Sequence, residues 1–114
     1  MAPNERYCLA LDLKDDTDLI REYEDYHKNV WPGILESIRG SRIKNMEIYR
    51  TGNRLFMIME VLPGFSFEQK AEADAGNKEV QEWEKLMWKF QQPLKWAAPG
   101  EKWILMNKIF VVNF

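Results

Sequence analysis

Cysteine is nearly absent: Cys8 is the only one in 114 residues. An intramolecular disulfide is thereby excluded, as is a zinc site built on several thiolates, and the cytoplasm is the expected compartment. Histidine is as scarce, with His27 standing alone. Excess charge of one sign is lacking too. Sixteen basic against eighteen acidic side chains leave a formal net charge of −2, which offers a polyanion no strong field, so nucleic acid is not an expected partner. Nowhere do about 18 apolar residues run together, as a membrane span requires. Met1 to Arg6 has neither the basic start nor the apolar stretch of a secretory leader, so no membrane association is expected. No repeat, low-complexity tract or linker interrupts the chain.

What is present is a globular composition, 46% hydrophobic and 30% charged. At 13.6 kDa the chain fits one domain, residues 1–114, and folding should bury roughly two thirds of its extended surface. Any catalytic site must sit inside that domain or between copies of it. Five Trp, six Phe and four Tyr make the chain 13% aromatic. Aromatic side chains are core material first, but they also line pockets for ring-shaped ligands.

From Arg6 to Leu13 the residues alternate, with Tyr7, Leu9, Leu11 and Leu13 on one face, which predicts a strand. Lys14 to Thr17 then supplies capping side chains, and apolar positions from Leu19 and Ile20 through Tyr23, His27 and Trp31 to Ile38 recur at helical steps. Pro32 should break this helix near Asn29 and restart it, and Gly40 should end it. Ile43 to Arg50 and Leu55 to Val61 read as a hairpin turned at Thr51 to Asn53. Ser66 with Gln69 matches a capping box for a short helix through Asp74, and Asn77 can cap another that buries Val80, Trp83, Leu86, Met87 and Phe90. Gln91, Gln92 and Pro93 read as its break and Pro93 to Glu101 as a loop. Lys102 to Val112 is expected to be a long strand, too apolar on both faces to be exposed.

Strand, broken helix, strand, strand, broken helix, strand is the βαββαβ plan of a ferredoxin-like α+β fold, with a four-stranded antiparallel sheet and the helices on one face. The other face would carry Phe, Ile and Tyr among polar residues. A second copy is its simplest cover, so a homodimer is expected.

His27 is the one side chain whose ordinary titration lies near neutral pH, because an imidazole titrates near 6.5. Tyr23, His27 and Trp31 fall at four-residue steps and would line one pocket if the helical path persists to the proline. On spacing alone, a lone histidine on an apolar helix face reads as a hydrogen-bonded core residue. The helix break one turn later opens space and frees polar groups, which favours a pocket. Asp12, Glu47 and Glu60 interrupt apolar strands. Singly each reads as a solvated or ion-paired sheet residue; together they offer carboxylates to bind hydroxyl groups. No glycine-rich phosphate loop, metal-ligand cluster or serine or cysteine near a histidine is found. Acid/base chemistry without a cofactor or metal, or binding alone, is what remains.

The stretch YEDYHKNVWP resembles the L-rhamnose mutarotase family, whose mark is a tyrosine four residues before a histidine and a Trp-Pro pair four after it. Tyr23, His27, Trp31 and Pro32 match. The likeness continues through NMEIYR (Asn45 to Arg50), LFMIMEV (Leu55 to Val61), QEWEKLM (Gln81 to Met87) and the last segment with Ile109 and Phe110. The resemblance implies a dimeric α/β barrel-type, ferredoxin-like protein that interconverts the α and β anomers of a 6-deoxy sugar without a cofactor. It makes His27 the proton donor and Tyr23 a sugar contact. Two positions depart from the rhamnose-type pattern: Met46 stands where that pattern has tyrosine, and Glu84 follows Trp83 where it has a second tryptophan. Both are sugar contacts in the family, so the exchange should change which hydroxyl arrangement fits. In this the chain looks more like the L-fucose branch.

Mutarotation needs an acid for the ring oxygen and a base for the anomeric hydroxyl. His27 fits the acid, with Tyr23, Glu60, Asp12 or water as the base, and Trp31 and Trp83 would hold the apolar ring face and the 6-methyl group. Glu60, Met46 and Glu84 complete the expected sugar contacts. Two rivals stand beside this reading: a cofactor-free monooxygenase or haem-degrading enzyme of the same fold, and a non-catalytic ligand-binding dimer module.

Overall fold

In the computed structural model, which describes residues 5–114, strand β1 (Glu5–Leu13) buries Leu9, Leu11 and Leu13 in alternation, as a half-covered strand does. Met1 to Asn4, part of the stretch read above for a leader, lie outside the described residues. Asp16 caps α1 (Thr17–Tyr26), its carboxylate accepting the Leu19 N–H at 3.0 Å. Helix α2 (Pro32–Gly40) starts at the proline, whose fixed φ suits a first helical position and whose missing N–H is not needed there. The expected break therefore falls at residues 27 to 31.

Strands β2 (Ile43–Thr51) and β3 (Arg54–Val61) form the hairpin, turned through Gly52 at φ 55°, a left-handed conformation that glycine adopts freely. Ser66 caps α3 (Phe67–Ala75) by accepting from Gln69 N–H at 3.2 Å. Asn77 caps α4 (Lys78–Trp88) by accepting from the Glu79 and Val80 N–H groups at 3.1 and 3.2 Å. Two short strands follow, β4 (Gln91–Gln92) and β5 (Ile104–Leu105).

The sheet is antiparallel, in the order β2-β3-β1-β4, with β5 also on β1. This is the ferredoxin-like arrangement. Leu9 faces Met57 and Leu11 faces Leu55 across β1 and β3, so each buried side chain meets another. Between Ile43 and Asn45 the register of β2 shifts. Lys44 is the extra residue of a bulge, which lets Ile43, Met46 and Ile48 share the side of Met57, Met59 and Val61.

The buried apolar side chains of β1, β2 and β3 lie on that one side, and all but Leu11 fall in two clusters. Leu13 and Leu55 join Tyr23, Ile34, Val80, Trp83, Met87 and Phe90 from the helices and the start of the loop. Leu9, Ile43, Met57, Met59 and Val61 form the other, and Ile38 and Trp103 pack against both. Cys8, Ala10, Phe56 and Ile58 face the opposite way, half-buried and in neither cluster. Among the described residues no helix is long and apolar enough to cross a membrane.

Two expectations fail at the carboxyl end. Gln91 and Gln92 are not merely a helix break: they pair with Leu13 and Asp12 at the edge of β1. Lys102 to Val112 is not one long strand, since pairing covers only Ile104 and Leu105, extended by the Met106 N–H to the Cys8 carbonyl at 2.8 Å. A strand needs a ladder partner as well as apolar side chains: beyond Met106 the segment has no further ladder pairing among the described residues, and Ile109, Phe110, Val111, Val112 and Phe114 are exposed.

Candidate active site

His27 is the first residue past α1, and its Nδ1 lies 2.9 Å from the Tyr23 carbonyl. A carbonyl only accepts, so Nδ1 carries the hydrogen and Nε2 is left to exchange one. The imidazole sits between two rings. The Tyr23 centroid is 4.4 Å away and tilted by 38°, and the Trp83 centroid is 5.7 Å away, edge-on at 69°. Trp31 in turn stands edge-on to Trp83 at 5.0 Å. His27 keeps helical backbone angles, φ −80° and ψ −6°, so four residues after Tyr23 it stays on the same face of α1.

The His27, Tyr23 and Trp83 rings border a cavity of about 770 Å³ between the helices and the apolar side of the sheet, within the size range of small-molecule sites. Tyr23, His27, Met46, Trp83 and Glu84 all line it, so five of the seven residues singled out from the sequence come together. Two do not. Trp31 backs Trp83 instead of lining the cavity. Glu60 points to the other side of the sheet, since the pleat turns Met59 inward and its neighbour outward; there it meets Asn45 and Lys44. Asp12 is likewise engaged elsewhere, accepting two bonds from Arg54 at 2.8 and 3.2 Å.

Electrostatics assign roles inside the cavity. Burial pushes the Tyr23 phenol up to about 12, against a smaller opposite effect of a hydrogen bond from Gln91. At ordinary pH the Tyr23 phenol therefore keeps its proton. Lys102, which sequence reasoning passed over, lines the cavity, donates to the Glu84 carbonyl at 3.1 Å and lies 4.8 Å over the Trp88 ring. Burial lowers its pKa while the Glu84 carboxylate beside it acts in the opposite sense. At the far end, buried Asp74 accepts from Lys70 at 2.5 Å and from Ser37 at 3.3 Å, tying α2 to α3.

Gln91 and Trp103 also line the cavity and were missed. The missing signal was topological: only the pairing of β4 and β5 with β1 turns these segments toward His27. On their other side, His27 and Tyr23 border a smaller cavity of about 400 Å³, closed in by Arg50 and its ion-pair partner Glu24. Among the described residues no three His, Cys, Asp or Glu side chains gather as a metal site requires.

Comparison with known proteins speaks to the same chemistry. The pattern that defines the L-rhamnose mutarotase family matches residues 6–112. An L-fucose mutarotase of Xanthomonas campestris pv. campestris is 43% identical over 96% of this chain and 89% of its own. The UPF0734 protein of Dictyostelium discoideum is 37% identical over 95% and 90%. The crystal structure of an L-rhamnose mutarotase from Formosa agariphila superposes with a TM-score of 0.70 at 18% identity, covering 96% of this chain and 99% of that one. The fold is thus shared well beyond sequence likeness, and the rival oxygenase, haem-degrading and non-catalytic readings give way. The chain belongs to the L-rhamnose mutarotase family and is an isomerase of the sugar mutarotase type.

Proposed function

We propose that the protein is an L-fucose mutarotase that works by acid/base catalysis from its own side chains. The observation that carries this reading is the meeting of His27, Tyr23, Met46, Trp83 and Glu84 around one cavity. Protonated His27 gives its Nε2 proton to the ring oxygen, while the Glu84 carboxylate takes the proton of the anomeric hydroxyl. The C1–O5 bond breaks as the C1 carbonyl forms, and the chain turns about C1–C2. O5 then adds to the other face of the carbonyl, and both protons return. Tyr23 donates a hydrogen bond to the sugar, and Trp83 offers an apolar face to the ring carbons and the 6-methyl group.

L-Fucose is preferred to L-rhamnose because Met46 and Glu84 both face the cavity and the 43% identical relative carries the name L-fucose mutarotase. Saturation-transfer NMR of anomer exchange on L-fucose and L-rhamnose tests the reading. His27→Ala should keep its circular dichroism and lose on the order of 10² to 10⁴ in exchange rate, as loss of a positioned acid does. Full activity in the folded variant would remove His27 from the chemistry.

The same reading includes a homodimer in the cytoplasm. The uncovered side of the sheet and the exposed apolar arm at residues 106–114 support the dimer, and the single free thiol of Cys8 supports the compartment.

A further inference from the structure

We infer that Gln91 reads a hydroxyl at C2, C3 or C4 of the bound sugar through its side-chain oxygen. This rests on the cavity being the sugar site. Gln91 is only 6% exposed, and its backbone pairs with Leu13 at the edge of β1. It lines the cavity that His27 and Tyr23 line. Its Oε1 is the one buried side-chain polar atom without a hydrogen-bond partner among the described residues. Folded proteins leave few such atoms, because stripping an acceptor of water without replacing the bond costs about 1–3 kcal/mol. An acceptor left bare on the wall of a cavity is instead an acceptor kept for a ligand.

Tyr23 lines the same cavity, its phenol kept protonated by burial. The two residues therefore offer a ligand one acceptor, Gln91 Oε1, and one donor, the Tyr23 O–H. A polyol satisfies both at once, since each hydroxyl both gives and takes. Around the pair the wall is apolar, with Met57, Met87 and Trp83, so a ligand lacking that hydroxyl leaves the acceptor unpaired.

The test pairs variants with deoxy sugars. L-Fucose and its 2-, 3- and 4-deoxy analogues are compared by anomer-exchange kcat/KM and by binding, read from tryptophan fluorescence. In the parent, one analogue should fall on the order of 10²-fold or more below L-fucose. Gln91→Met keeps length and loses the amide, and there the same gap should shrink to a few-fold. Gln91→Glu keeps an accepting oxygen, and the gap should remain. A parent that treats all three analogues like L-fucose overturns the inference, and does so even if Gln91→Met fails to fold. A folded Gln91→Met that discriminates as the parent does overturns it too. Binding that follows this pattern without turnover sinks the mutarotase reading and upholds Gln91, whereas turnover without the pattern does the reverse. A parent that neither binds nor turns over any of these sugars refutes both.

Discussion

Burial raises the Tyr23 phenol to about 12, and the effect on stability has a definite sign. In the unfolded chain a phenol ionises near 10, so the folded protein keeps this proton about two units longer. The contribution is intact below pH 10 and is lost as pH climbs through 12, a change of roughly 2–3 kcal/mol. Denaturant unfolding between pH 9 and 12 should show the parent losing that much more stability than Tyr23→Phe. A second prediction concerns the two departures from the rhamnose-type pattern. Met46→Tyr with Glu84→Trp should raise the ratio of L-rhamnose to L-fucose exchange several-fold, because an indole and a carboxylate ask for different hydroxyl patterns; saturation-transfer NMR on both sugars measures it. An unchanged ratio in a folded, active double variant places specificity elsewhere. At this scale the site was largely legible, since a motif carried His27 and Tyr23 and two substitutions marked Met46 and Glu84. Glu60 was misplaced because a carboxylate in an apolar strand looks the same from either side of the pleat. Gln91 was invisible, its role resting on a partner strand some eighty residues earlier.

Helix α4 carries both Trp83 and Glu84, and its start depends on Asn77, whose side-chain oxygen takes two backbone N–H groups. Asn77→Ala should lower unfolding free energy by about 1 kcal/mol, measured by thermal or urea unfolding. kcat should change little, because packing of Val80, Trp83 and Met87 holds the rest of the helix. Local signals of this kind made most elements readable: side-chain caps at Asp16, Ser66 and Asn77, the proline at the head of α2, and the alternation of β1 and β3. The elements that escaped are the short ones. β4 and β5 have two residues each, too few to show a period, and they exist only because β1 offers them an edge.

Residues 106–114 belong to neither core cluster, although Ile109 is 95% and Phe110 79% exposed. A chain truncated after Met106 should therefore fold, keeping its near-ultraviolet dichroism. It should also sediment as a monomer at micromolar concentration, while the full chain sediments at twice its 13.6 kDa. A full-length chain that remains monomeric there contradicts the dimer. If the dimer forms, the parent's melting temperature rises with protein concentration and the truncated chain's does not. The apolarity of this arm was read correctly from the sequence and its location wrongly, because hydropathy reports that a segment needs cover but not which molecule supplies it.

The bulge at Lys44 makes the cavity wall a matter of counting. Upstream of it Ile43 and downstream of it Met46 face inward together only because one residue is unpaired. Excising Lys44 would leave Ile43, Asn45 and Met46 opposite Val61, Glu60 and Met59 in plain alternation, but excising Glu47 would set two parities against each other: either the bulge closes and Asn45 turns in where Met46 had been, or it stays and Tyr49 turns in where Ile48 had been. A length change of one codon can thus exchange a wall contact, thioether for amide or alkyl for phenol, with every remaining side chain conserved. Sugar preference on such a strand can be altered by insertion and deletion as well as by substitution.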